Sequence, residues 1–237
     1  MAQQRSIKAV SKKVLAALTI AIALQISFSL FSLNRKNNHA DIPPPPSDKI
    51  LTLSALGDKN FAATAIMLWL QSADNNTSKR DAYSALDYDV VQKWLNSYQR
   101  LSYKSSYAIL MASQIYSMTR DDSKKRSMLE YVYKNFLKHP NRYWKWMIQS
   151  AIIAQHRLND MQLALKYAEA VRKKTTSKTV PAWAKQHEVF IREDLGEYEV
   201  AAGVLKLLID DNIVRDEKER IFLLEKLSDL QQENVEK

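Results

Sequence analysis

Two stretches of the chain carry the same apolar pattern 37 residues apart. In Asp160-Met-Gln-Leu-Ala and Glu197-Tyr-Glu-Val-Ala, Met161 falls on Tyr198 and Ala164 on Ala201. Further along, Leu165 falls on Ala202, Ala168 on Leu205 and Val171 on Leu208. These positions lie three, four, seven and ten residues after the first, one face of an α-helix. A period of this size is that of stacked helical hairpins, each burying its apolar face against the next. The spacing predicts second helices of hairpins starting near residues 87, 124, 160 and 197. The first two match the template less closely, because Lys125 and Asn135 stand where later copies are apolar.

Other elements follow from the same periodicity. Asp58 is placed to cap a helix over 60–72 with an apolar stripe of Phe61, Ala65, Leu68 and Trp69. Asp87 is placed to cap a helix with Val90, Val91, Trp94, Leu95, Tyr98 and Leu101 on one face. Helices are predicted over 106–118 and 123–138, then over 142–157 with Trp144, Met147, Ile148, Ala151, Ala154 and Leu158 inward. Pro181 suits the first turn of a helix ending at Leu195, and Gly196 its C-terminal turn. Asp216 with Glu219 reads as the capping box of a last, half-polar helix that shields the end of the stack.

Upstream the pattern changes. Residues 1–13 form a basic tail, and no charged side chain occurs from Val14 to Leu33. At ~1.5 Å per residue a helix of that length reaches roughly 30 Å, the thickness of a bilayer core. The segment reads as an uncleaved transmembrane signal anchor over 14–33. A cleaved signal peptide is the competing reading, but its apolar core is shorter and no Ala-x-Ala site follows. Four cations before the segment against Arg35 and Lys36 after it place the amino end in the cytoplasm. The helical domain is then expected on the extracytoplasmic, periplasmic side of the inner membrane. Residues 34–46 form a linker ending in Pro43-Pro44-Pro45-Pro46, which favours extended polyproline II. The helical domain is expected over 47–237.

Composition narrows the class. Three glycines and no cysteine argue against Gly-rich phosphate loops and turn-rich β folds, and remove disulfides, thiolate metal sites and cysteine nucleophiles. All-α is the expected fold class. The net charge of +9 is uneven: residues 47–187 carry 22 basic and 11 acidic side chains, and residues 188–237 carry 7 and 14. A basic body with an acidic far end favours association through charge, with self-assembly of copies as one outcome.

The residues Leu195-Gly196-Glu197-Tyr198-Glu199-Val200-Ala201 resemble the Gly-Asp-Tyr-x-x-Ala turn of tetratricopeptide repeats. Leu158-Asn159-Asp160-Met161-Gln162-Leu163-Ala164 is a fainter copy, and Pro140 stands where that family ends a unit. The period here is longer than the family's 34 residues, and its first-helix Trp, Leu-Gly and Tyr signature is absent. The resemblance implies a divergent, right-handed stack of about four hairpins with a capping helix. It further implies a non-catalytic scaffold whose first helices line a groove for protein partners. On that implication the partner-binding candidates are Tyr107, Arg142, Lys145, Gln149, His156 and Gln186. Lys145, Gln149 and His156 share one stripe by spacing, suited to an acidic segment or carboxylate. The layout also resembles bacterial inner-membrane proteins that assist secretion or envelope assembly.

Catalytic motifs are sparse. His187-Glu188 begins an H-E-x-x-H, but Ile191 stands at the fifth position. His39, His139 and His156 are scattered, and solvated histidines account for them. No Gly-x-Ser-x-Gly elbow, P-loop or dinucleotide fingerprint occurs. No cofactor or metal is expected. The alternative class is an enzyme subunit or envelope hydrolase with a site not evident in sequence. Between Tyr131 and Trp146 aromatics interleave with cations, a mixture that can meet nucleic acid or phospholipid. Two amphipathic helices burying the aromatics explain it more simply, and nucleic acid is not the expected partner.

Overall fold

The computed structural model describes the backbone of residues 11–33, 42–75, 86–211 and 216–235, with side chains for all of these except 28–33, 73–75 and 235. Residues 1–10, 34–41, 76–85, 212–215 and 236–237 lie outside it, and with them most of the basic tail, the first part of the linker with His39, and most of the polar stretch 73–86 that the sequence leads one to expect as a loop. Among the described residues all regular structure is helical, without a strand. The helices are α1 (Lys12–Leu33), α2 (Asp48–Ser54), α3 (Lys59–Asn75), α4 (Tyr88–Leu101), α5 (Tyr107–Leu110) and α6 (Asp122–Lys138). They continue as α7 (Pro140–Arg157), α8 (Met161–Lys174), α9 (Ala182–Asp194), α10 (Tyr198–Asp210) and α11 (Glu217–Val235). The chain divides into two compact units, 1–41 and 42–237.

In the first unit, α1 carries described side chains as far as Ser27. Among the described residues no helix is long and apolar enough to cross a membrane. The described structure thus does not support the expected transmembrane anchor.

In the second unit three of the hairpins share one feature. An aspartate precedes the second helix and caps it. Asp87 accepts from the amides of Asp89 and Val90 at 2.9 and 3.3 Å, Asp121 from that of Lys124 at 3.1 Å, and Asp160 from that of Leu163 at 2.9 Å. Such caps satisfy amides that the first turn leaves unpaired. The residue just before Asp160 is Asn159 at φ +50°, and the residue just before Glu197 is Gly196 at φ +74°. Asn and Gly are the types that tolerate this left-handed turn, so the 37-residue register is visible in the backbone. Glu197 departs from the pattern: it makes no capping bond and accepts instead from Arg192 Nη1 at 2.6 Å.

The core runs along the stack. Consecutive helices from α6 to α11 pack on one another, and α7 also touches α9 and α5. Ala164 and Ala201 are fully buried, which lets neighbouring helices approach closely. Lys125 and Asn135 do sit on the core side of α6, as the register requires. Each is satisfied locally, Lys125 Nζ by Asp122 at 2.7 Å and Asn135 Nδ2 by the Tyr131 carbonyl at 2.8 Å.

Polar bonds between elements recur at the same interval. Gln71 donates to Tyr107 Oη, Gln92 to Ser127 Oγ, Arg126 to Asp160, Asn141 to Thr176 Oγ1, Gln155 to Asp194 and Gln186 to Glu219. The paired residues are 33–39 positions apart. Each hairpin is thus tied to the next by side chains about one period away.

Three expectations are corrected. The stripe Phe61, Ala65, Leu68 and Trp69 faces solvent, while Ala62, Ala63, Ile66, Met67 and Leu70 are buried. Helix 106–118 is not regular: after α5 the chain forms a wide π turn at Met111–Ile115 and a 3-10 turn at Tyr116–Met118. The reciprocal capping box of α11 is not used, because Glu219 binds Gln186 at 2.8 Å. Asp216 alone caps, accepting from the Lys218 amide at 2.8 Å.

Candidate functional site

Four of the six candidate residues lie on α7, whose N-terminus is fixed from two sides. Asn141 Oδ1 accepts from the amides of Thr176 and Ser177 at 2.8 and 2.9 Å, tying α7 to the α8–α9 connection. Arg142 Nη1 donates to the Tyr103 carbonyl at 2.6 Å, tying it to the segment before α5. From this start Arg142, Lys145, Gln149 and His156 follow at intervals of three, four and seven, one helical stripe. Lys145 and His156 are exposed, Arg142 and Gln149 half-buried.

The stripe differs in character along its length. Arg142 is largely occupied: its guanidinium lies 5.2 Å from the Tyr143 ring and its Nε 3.4 Å from Ser106 Oγ. Its Nη2 is buried with no hydrogen-bond partner among the described residues. Lys145 is exposed and meets no carboxylate among the described residues, its Nζ 5.5 Å from the Trp144 ring. The Trp144 ring meets that of Trp183 from α9 edge to face at 5.5 Å. Trp183 is 52% exposed, an aromatic surface that sequence spacing alone did not single out. His156 lies close enough to His187 of α9 to disfavour its charge. Burial is the larger cause and pushes the His187 imidazole below its ordinary value, while Asp194 opposes the shift.

Tyr107 lies beside this stripe through α5, which touches α7. Its Oη accepts from Gln71 Nε2 at 2.6 Å, and its ring packs at 6.2 Å from Tyr98. Gln186 does not join the others on an open face. It is buried and donates to Glu219 of α11. The last helix covers the position that hairpin spacing had left open.

Glu188, the second residue of the partial zinc motif, is fully buried. Its carboxylate lies between Arg172 of α8 and Arg192 of α9, with nitrogen–oxygen distances of 2.5 and 2.8 Å. Arg192 also meets Glu197 at 2.6 Å. Both carboxylate oxygens are engaged by guanidinium groups, so Glu188 joins hairpins. Among the described residues no group of three His, Asp or Glu is placed to hold a metal ion.

Three surface clefts gather around α2. One of about 450 Å³ is lined by Asp48, Lys49, Leu53, Lys59 and Arg100 among others. One of about 260 Å³ is lined by Leu51, Ala55, Phe61, Ile66, Trp69 and Trp94. The third, about 370 Å³, lies between Pro44–Pro46 and α4. None of the six candidate residues lines these clefts.

No family model matches the chain, no curated protein matches it, and no solved structure matches it.

Proposed function

We propose that the chain is a non-catalytic scaffold that recruits protein partners through the surface of a tetratricopeptide-like, right-handed helical stack. Its apolar amino-terminal helix tethers it to the inner membrane, with the stack on the extracytoplasmic side. The observation that carries the recruiting role is the α7 face: Lys145 and His156 stand exposed on one stripe beside the half-exposed Trp183. A cation and an indole edge side by side suit an acidic segment that also carries an apolar or aromatic side chain. The excess of basic side chains over 47–187 would steer such a partner inward. The tether rests on the uncharged run Val14–Leu33.

The test is crosslinking in native membranes followed by affinity purification and mass spectrometry. Lys145→Glu combined with His156→Glu should abolish the dominant crosslinked partner. Arg142 is left intact because its loss would release the Tyr103 carbonyl. Undiminished recovery of that partner would dispose of the α7 face as the docking surface.

A further inference from the structure

The α2–α3 end of the domain exposes more large apolar side chains than a solvated surface explains. Leu53 is 77% exposed, Leu56 97%, Phe61 62% and Leu68 63%, with Ile50 and Trp69 also outward. Patches of this kind mark a partner surface. Two details show that the exposure is built in. Leu56 is held at φ +55°, a left-handed conformation that a branched apolar residue rarely adopts. The left-handed turn closes α2, with the Gly57 amide donating to the Thr52 carbonyl at 2.9 Å, and it leaves the Leu56 side chain wholly outward. Phe61, Ala65, Leu68 and Trp69 also form a continuous helical stripe, while α3 buries a separate set of five residues inward.

The surroundings say what covers the patch. Ile42 is buried, and Trp94 Nε1 donates to the Pro43 carbonyl at 2.8 Å. The Trp94 ring lies 4.7 Å from that of Trp69. The chain therefore enters the domain beside the patch. Only residues 34–41 separate Ile42 from α1, and fully extended they reach roughly 30 Å. The rim carries Lys49 and Lys59, with Trp69 on the stripe. Of the nearby carboxylates, Asp48 is neutralised by Arg100 through two bonds of 2.5 and 3.0 Å. Asp58 is engaged in capping α3, at 2.9 and 3.1 Å from two amides. Aliphatic side chains flanked by an indole and lysines are the chemistry of a membrane interface.

The geometry points to the α2–α3 surface as a second membrane contact, in which Ile50, Leu53, Leu56, Phe61 and Leu68 enter the lipid interface beside the chain's own tether. This rests on the tether proposed above: with α1 in a bilayer, the short connection keeps the patch at a high effective concentration near that bilayer. The contact would fix how the stack stands on the membrane, leaving the α7 face for a partner. A second copy of the chain is the competing occupant.

The chain has no cysteine, so single labels can be placed cleanly. The full chain carrying Leu53→Cys, Leu56→Cys or Leu68→Cys is spin-labelled and reconstituted in vesicles of phosphatidylethanolamine and phosphatidylglycerol. Leu137→Cys on α6 is the control. The expected result is relaxation of the three patch labels mainly by oxygen, and of the control label mainly by a water-soluble nickel complex. Nickel-dominated relaxation at the patch, in chains that float with the vesicles, overturns the membrane contact and leaves the tether standing. Labels shielded from both reagents overturn it in favour of a second copy. Chains that fail to float overturn the tether and this inference together.

Discussion

Removing the charge of Glu188 tests how the hairpins are joined. The carboxylate is fully buried where α8 meets α9. It accepts from Arg172 Nε at 2.5 Å and from Arg192 Nε at 2.8 Å, with a long third bond from Arg172 Nη2 at 3.4 Å. The two arginine side chains are only 18% and 13% exposed. Glu188→Gln keeps the shape, removes the charge and turns one acceptor into a donor facing a guanidinium. Breaking a buried ion pair from one side costs about 3–5 kcal/mol, because the other charge stays buried and unpaired. Arg192 keeps Glu197 at 2.6 Å, whereas among the described residues Glu188 is the carboxylate to which Arg172 donates hydrogen bonds, with Glu169 nearby. The loss should therefore fall near the low end, about 3 kcal/mol, against a typical domain stability of ~5–15 kcal/mol. Urea unfolding followed by far-ultraviolet circular dichroism reads the difference. A double-mutant cycle should show stronger coupling of Glu188 to Arg172 than to Arg192. Glu188→Leu with Arg172→Met should recover much of what Glu188→Gln loses, since an apolar replacement removes the desolvation cost. A loss below about 1 kcal/mol for Glu188→Gln, or the reverse order of couplings, would refute the reasoning.

Three further outcomes are expected. Ala201→Trp should overpack the α9–α11 core and cost about 1–3 kcal/mol, a fall of several degrees in Tm; an unchanged Tm would place Ala201 outside the core. Leu56→Asn should raise the urea midpoint by the equivalent of roughly 0.5–1 kcal/mol, because Asn relieves the left-handed strain; a lower midpoint would mean Leu56 makes a stabilising contact. His187 has a folded pKa below its ordinary 6.5, so the unfolded chain binds the proton first. Its contribution is complete above about pH 6.5 and is lost as pH falls through the lower, folded value. Wild type should lose stability over that interval and His187→Gln should lose less; parallel pH curves would contradict the burial of a neutral imidazole.

Much of the stack was legible because repetition leaves local marks. Asn159 and Gly196 occupy the same turn, and each satisfies a backbone angle that few residues accept. Asp87 and Asp160 mark second helices because a capping carboxylate acts within three residues of itself, whereas Asp121 emerged as a cap only in the structure. Ala164 and Ala201 follow from one face of one helix. What failed depended on distant partners. α3 carries two interleaved apolar sets, and periodicity cannot say which of them meets the core. Gln186 read as groove-facing because Glu219, 33 residues on, covers it only in three dimensions. The ion-pair role of Glu188 left no mark in the sequence, because Arg172 and Arg192 reach it only in the fold. The α7 stripe was legible as spacing, but Arg142 proved bound to the Tyr103 carbonyl, and Trp183 comes from another helix.

Hairpins stacked one period apart underlie both the fold and the proposed binding face, and paired cysteines in this cysteine-free chain test that stacking most directly. Gln92→Cys with Ser127→Cys and Gln155→Cys with Asp194→Cys replace partners 2.7 and 2.8 Å apart that lie 35 and 39 positions apart in sequence. A short bifunctional maleimide, which spans the gap that shortening Gln and Asp to Cys leaves too wide for a disulfide, should join both pairs within one chain rapidly, while Gln92→Cys with Gln155→Cys should not be joined. Failure of the one-period pairs to close, or closure of the mismatched pair at the same rate, would contradict the stack.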